Sequence, residues 1–150
     1  MASRAQKIVP FTLFYPRTLG PFRLVELEAW RANTTGCYLT WTEDGGTQFA
    51  LDQGGVAFGP YGPRPRVVTL EQGRKGYLYR YDDPEGKGTR LGLYLGWQST
   101  IDPPPVGCTL ESRTMSEAEL IQVANMLLRD PEFRRLWQPL RGDFRDPLFY

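Results

Sequence analysis

The chain has 150 residues, enough for one domain with a core of its own. Hydrophobic residues make up 41% and charged residues 23%, the balance of a soluble globular protein. A net charge of +1 argues against a purely electrostatic nucleic-acid or membrane binder, and the absence of histidine removes the commonest metal ligand and general base.

The N-terminal "MASRAQKIVPFTLFYP" carries basic residues and then a few apolar ones, broken by Pro10 and Pro16. That run is too short for a signal-peptide core, and no run reaches the roughly 20 apolar residues of a membrane helix. A complete chain of this kind is expected in the cytoplasm; a fragment of a membrane-anchored protein would be extracytoplasmic. "FRLVELEAW" (22 to 30) alternates, with Val25, Leu27 and Ala29 on one face and Glu26 and Glu28 on the other, the period of a half-buried strand. "CYLTWT" (37 to 42) and "TQFALD" (47 to 52) flank "EDGG", where Asp44-Gly45 offers positive φ for a tight hairpin.

"GVAFGPYGPRPR" (55 to 66) reads as a Gly- and Pro-rich loop, and "RVVTL" (66 to 70) as a short strand. In "KGYLYRYDDPEGKGTRLGLYLGW" (75 to 97), two strand-like runs surround a turn with Pro84 and Gly86, a second hairpin. "DPPP" (102 to 105) is stiff and extended, and "VGCTLES" (106 to 112) is the last strand. A helix follows. Ser116 is its N-cap and Glu119 completes a capping box, with Met115 and Leu120 as a hydrophobic staple. Leu120, Val123, Ala124, Leu127 and Leu128 form one apolar stripe. Asp130 caps a shorter helix with Pro131 at its first position, carrying Phe133, Leu136 and Trp137.

Strands first and helices last predict an α+β fold: a curved antiparallel sheet of about seven strands packed against a C-terminal helix. Residues 1–129 read as a single α+β domain and 130–150 as a helical and irregular extension. Cys37 and Cys108 lie far apart and outside any CxxC motif. They are either two buried thiols or, in an oxidising compartment, a disulfide. With two cysteines and no histidine, neither a zinc site nor a cofactor is expected.

The order of features resembles an uncharacterised bacterial domain found at the C-terminal end of anti-sigma-factor-like proteins. The matching residues are Pro16, Leu19 and Gly20 in "VPFTLFYPRTLGPFRLVELEAW", Gln53 after the hairpin "CYLTWTEDGGTQFAL", the strand "RKGYLYRY", and Leu95 and Trp97. The helix pattern "s-x-x-E-L-x-x-V-A-x-x-L" is met by Ser116, Glu119, Leu120, Val123, Ala124 and Leu127. The match covers about residues 8 to 128. That family is similar to the lipoprotein-carrier and RseB-like fold, a curved sheet that holds a helix. The resemblance implies binding of apolar ligands or protein segments, and it brings no active-site residues.

"YLYRY" puts Tyr77, Tyr79 and Tyr81 on one strand face, with Arg74, Lys75 and Arg90 close in sequence. Such a face serves as a stacking platform for single-stranded nucleic acid, or it packs against a neighbouring element. "GPYGPRPR" has P-x-x-P spacing, and its Arg64 and Arg66 suit a phosphate or a carboxylate; a rigid surface loop is the plainer reading. Asp82, Asp83 and Glu85 lack the spacing of a calcium loop and read as a solvated turn. Asp143 and Asp146 are a carboxylate pair whose separation nothing fixes. Neither a GxGxxG, a GxxxxGK[ST] nor a GxSxG motif occurs.

The first expectation is a non-catalytic, regulatory binding module for a protein segment or apolar ligand. Its candidate ligand-binding residues are Tyr77, Tyr79, Tyr81, Arg64, Arg66 and Trp97. The second is a single-stranded nucleic-acid binder using the Tyr/Arg sheet face. The third is a small structural subunit anchored in a larger assembly by its aromatic end, Phe144 to Tyr150.

Overall fold

The computed structural model describes residues 2–31, 35–54, 65–82, 86, 88–98 and 106–139. The "DPPP" segment, the turn at Pro84, most of the Gly/Pro-rich loop with Arg64, the Asp143/Asp146 pair and the aromatic C-terminal end lie outside the described residues.

A single antiparallel sheet dominates. Its strands are β1 (Thr18–Leu19), β2 (Phe22–Arg31), β3 (Thr35–Thr42), β4 (Gln48–Gly54), β5 (Arg66–Thr69), β6 (Lys75–Asp82), β7 (Thr89–Gln98), β8 (Val106–Ser112) and β9 (Gln138–Pro139). Eight of them run in the order β1-β2-β3-β4-β8-β7-β6-β5, where the sequence suggests about seven. Two meanders, β1 to β4 and β5 to β8, join edge to edge through β4 and β8. The two-residue β9 pairs with Gly96 and Trp97 of β7, past Tyr94, the last β7 residue that β6 reaches. Strands then helices thus give the expected α+β architecture.

Local grammar explains most elements. β3 and β4 form the expected hairpin, but the left-handed positions are Gly45 (φ 106°) and Gly46 (φ 88°), one residue later than the Asp-Gly reading placed them. A bulge between Leu24 and Glu26 interrupts the alternation of β2. It leaves Val25 49% exposed, while Leu27 and Ala29 pack on the core.

The long helix, α2 (Glu117–Arg129), starts at the predicted capping box: Ser116 Oγ accepts from Glu119 N, and Glu119 Oε1 accepts from Ser116 N. Its stripe of Leu120, Val123, Ala124, Leu127 and Leu128 is buried. The next helix, α3 (Pro131–Leu136), is capped by Asp130, which accepts from Glu132 N and Phe133 N. The first helix, α1 (Ala2–Ile8), has no counterpart in the sequence reading. Seven residues are too few to hold a helix alone. Ala5 and Val9 anchor it in the core, and the Gln6 amide donates to Phe11 O and accepts from Leu13 N.

The core lies on one face of the sheet. Leu39, Trp41, Phe49, Leu51, Leu93 and Leu110 meet the α2 stripe, the segment Val9–Phe14, and Phe133, Leu136 and Trp137. Phe133 packs edge-on against Phe14 with ring centres 5.3 Å apart. Helix α3 is therefore part of the same packed body as the strands before it. Cys37 and Cys108 are both free and buried. They flank Gln53 on adjacent strands, two strand steps from each other, about 10 Å. That exceeds the reach of a disulfide.

Candidate functional site

Because side chains alternate along each strand, the residues between the core positions form a second face. One row across it runs Glu28, Tyr38, Asp52, Thr109, Tyr94 and Tyr77. The next row runs Glu26, Thr40, Ala50, Glu111, Gly92 and Tyr79. The second row explains a depression. Thr40 and Ala50 are short, and the longer Glu26 and Glu111 stand on either side of them. The result is a hollow of about 390 Å³, walled also by Glu28, Tyr38, Arg90 and Arg113.

A half-buried network closes one wall. Arg90 donates to Glu111 Oε2 at 3.0 Å, with the two side chains 16% and 12% exposed. The Tyr38 hydroxyl donates to the same oxygen at 3.3 Å and accepts from Arg90 at 3.4 Å. Burial, and then the Glu111 carboxylate, hold the Tyr38 hydroxyl well above its ordinary range, so it stays a donor. Asp52 sits beside Tyr38 and Thr109 in the first row. Its Oδ1 is buried and has no hydrogen-bond partner. Burial, and then the Glu111 charge, push the Asp52 carboxyl up to about 7.

The tyrosine ladder continues this face toward β6 as packed structure. Tyr77, Tyr94 and Tyr79 are 0%, 2% and 8% exposed. Glycines make room for the rings: a Cβ on Gly92 would lie 2.3 Å from Tyr79 Cζ, and one on Gly107 would lie 3.0 Å from the Tyr94 ring. Nucleic-acid stacking needs open ring faces, and Tyr77 and Tyr79 do not offer them here. Tyr81 pairs with Arg90 in the β6–β7 ladder, and Trp97 pairs with Gly107 and Gln138. Arg66 is exposed on the helix side, where it binds Glu117 Oε2 at 2.5 Å. The sheet thus separates Arg66 from the tyrosines. Arg64 lies outside the described residues.

Asp52, beside the hollow and not among the residues that line it, had a weak signal in the sequence. Asp is depleted in strands, so Asp52 inside an otherwise apolar run marks a position with special surroundings. Its link to Arg90 and Glu111 depends on β4 meeting β8, which no local pattern encodes. A second, more apolar groove of about 510 Å³ lies between the β1–β2 turn and α2, lined in part by Phe22, Met115, Val123 and Met126. Among the described residues no group of three or more His, Cys, Asp or Glu could hold a metal ion, and no helix is long and apolar enough to cross a membrane.

The chain matches no protein-family model, and neither a curated protein nor a solved structure is similar to it.

Proposed function

We propose that the chain is a non-catalytic binding module that recognises a protein segment through the hollow on the second face of its sheet. One observation carries this reading. The described helices pack into the core on one face, while the other face holds a hollow of about 390 Å³ edged by polar side chains on five strands. A site of that size with few, well-placed polar groups suits recognition. The resemblance to the anti-sigma-factor-associated domain points to the same class of role. The groove beside α2 favours a second version, in which an apolar ligand lies against Phe22 and Met126.

Both versions are tested by titrating the ¹⁵N-labelled chain with pools of short peptides and following backbone amide shifts. Shifts centred on Tyr38, Thr40, Ala50 and Glu111 are expected. Shifts confined to Phe22, Val123 and Met126, with an aliphatic probe such as decanoate doing the same, would favour the groove. If no pool perturbs either region, the binding-module reading is wrong.

A further inference from the structure

We propose that the hollow is gated by protonation: a clasp of Tyr38, Glu111 and Arg90 stands between it and Asp52, and loss of the Asp52 proton opens that clasp. This regulation of the hollow rests on the binding-module reading; the clasp itself does not.

Strand register fixes the clasp's position. β4 lies between β3 and β8. Tyr38 on β3 is level with Asp52, and Glu111 on β8 is level with Ala50. The Tyr38 hydroxyl nevertheless donates to Glu111 Oε2 at 3.3 Å, two strands away. Its ring must therefore cross β4 between Asp52 and Ala50, whose side chains share this face. Ala50, on one side of the ring, lines the hollow; Asp52, on the other, does not. Arg90 on β7 locks the arrangement, donating to Glu111 at 3.0 Å and to the Tyr38 hydroxyl at 3.4 Å.

The group behind the clasp tolerates only one charge state. Asp52 Oδ1 is buried and has no hydrogen-bond donor, which a neutral carboxyl bears far better than a carboxylate. Its neighbours give no relief. β8 contributes the Glu111 charge, and Thr109 is level with it. β3 contributes Tyr38, with Glu28 of β2 beyond. β7 contributes Tyr94 past Thr109, and Arg90, which Glu111 already holds. The thiols of Cys37 and Cys108, in the adjoining row, are kept neutral by burial. Among the described residues no cation pairs with Asp52. Burial and then Glu111 push its carboxyl up to about 7, so the proton is lost around neutral pH.

Two forces then act on the clasp in the same direction. The new carboxylate repels Glu111, the residue that holds the Tyr38 hydroxyl. It also needs hydration, and the open space beside it is the hollow, on the far side of the Tyr38 ring. Swinging the ring aside relieves both. Below neutral pH the hollow ends at Tyr38. Above it, the floor runs on from Ala50 to Asp52 and gains a carboxylate. A ligand that fits one of these states binds the other less well, so pH sets the occupancy of the hollow.

The test uses the full-length chain with ¹³C-labelled tyrosine and aspartate, and the Tyr38 ring signal is assigned by its absence in Tyr38→Phe. Access to that ring is read from line broadening by the neutral paramagnetic agent TEMPOL. From pH 6 to pH 8 the ionised fraction of Asp52 rises from about one-tenth to about nine-tenths, and the broadening of Tyr38 should rise in proportion. The Asp52 carboxyl carbon should titrate with the same midpoint. Asp52→Asn should hold Tyr38 in its protected position at both pH values. If that variant does not fold, the two signals of the parent chain decide: an Asp52 carbon that titrates while Tyr38 stays protected overturns the gate. Equal broadening at both pH values, or an unchanged rise in a folded Asp52→Asn chain, overturns it as well. Peptides that bind the hollow should differ in affinity between pH 6 and pH 8. Equal affinities with an opening clasp overturn the gating of binding. An opening clasp with no peptide bound at either pH supports the gate and removes the module reading.

Discussion

The Gln53 side-chain amide pairs with both backbone groups of Phe14: its oxygen accepts from Phe14 N at 2.8 Å and its nitrogen donates to Phe14 O at 2.7 Å. Gln53 is fully buried between Cys37 and Cys108. One side chain thus ties the Val9–Phe14 segment to the middle of the sheet and satisfies two backbone groups that no strand reaches. Replacing Gln53 with Leu leaves both unpaired in the core. We expect a loss of about 2–6 kcal/mol, at ~1–3 kcal/mol for each orphaned group. Urea unfolding measures the loss, and faster hydrogen exchange at the Phe14 amide should accompany it.

The two cysteines should behave as inert core atoms. Their backbone separation rules out a bridge, and burial raises the Cys37 thiol to about 12 and the Cys108 thiol well above its ordinary range. The reactive thiolate is therefore scarce at neutral pH. We expect both thiols to resist an aromatic disulfide reagent in the folded chain and to react together in denaturant. The melting temperature should be the same with and without reductant. Rapid labelling of either thiol in native conditions would contradict the buried assignment.

Much of this fold is legible in the sequence because its signals are local. The Ser116–Glu119 capping box, Asp130 with Pro131, and both hairpins are set by residues a few positions apart. What the sequence conceals is long-range. The β4–β8 junction joins Asp52 to Thr109 across more than fifty residues, and it is what assembles the hollow. Helix α1 exists through contacts to the core and not through propensity. The tyrosine run was legible as a face, but not which way that face looked or how completely it is buried.

Asp52 gives the domain a definite pH dependence. Its carboxyl titrates at about 7 in the folded chain against an ordinary value of 3.8. Between those values the folded chain keeps a proton that the unfolded chain has lost. Stability therefore falls as pH rises through that window, and levels off above it. The shift corresponds to a contribution of about 2–4 kcal/mol, lost between the two ends. Asp52→Asn removes the charge but keeps the shape. The variant should be more stable than the parent at pH 8, and the slope between pH 5 and 7 should flatten in denaturant titrations. A variant with an unchanged slope would assign the dependence to another group.

Helix α2 is a structural element, and two substitutions separate its terms. Val123 is 4% exposed, within the apolar stripe that meets the sheet. A carboxylate there has no partner, so Val123→Asp should unfold the domain by circular dichroism and not merely silence it. Ser116→Ala removes one side of the capping box and should cost about 1 kcal/mol, with the fold intact. A folded but inactive Val123→Asp chain would instead mean that the stripe faces a partner.

The Tyr79–Gly92 pair decides whether the tyrosine ladder is packing or a platform. The Tyr79 ring occupies the space that a Cβ at Gly92 would need, with Cζ at 2.3 Å and the hydroxyl oxygen at 2.6 Å. Gly92→Ala must push the ring off the sheet, a strain of about 1–3 kcal/mol in a filled site. In a Tyr79→Ala background that obstacle is gone. Gly92→Ala should then be neutral or stabilising by about 0.5–1 kcal/mol, since glycine weakens a strand interior. The double-mutant cycle should therefore show a coupling above about 1 kcal/mol. A stacking platform behaves differently. Its tyrosine would be exposed, Tyr79→Ala would leave stability unchanged, and salt-sensitive binding of oligo-dT would disappear with the ring. With Tyr79 only 8% exposed, we expect the coupling and not the oligonucleotide.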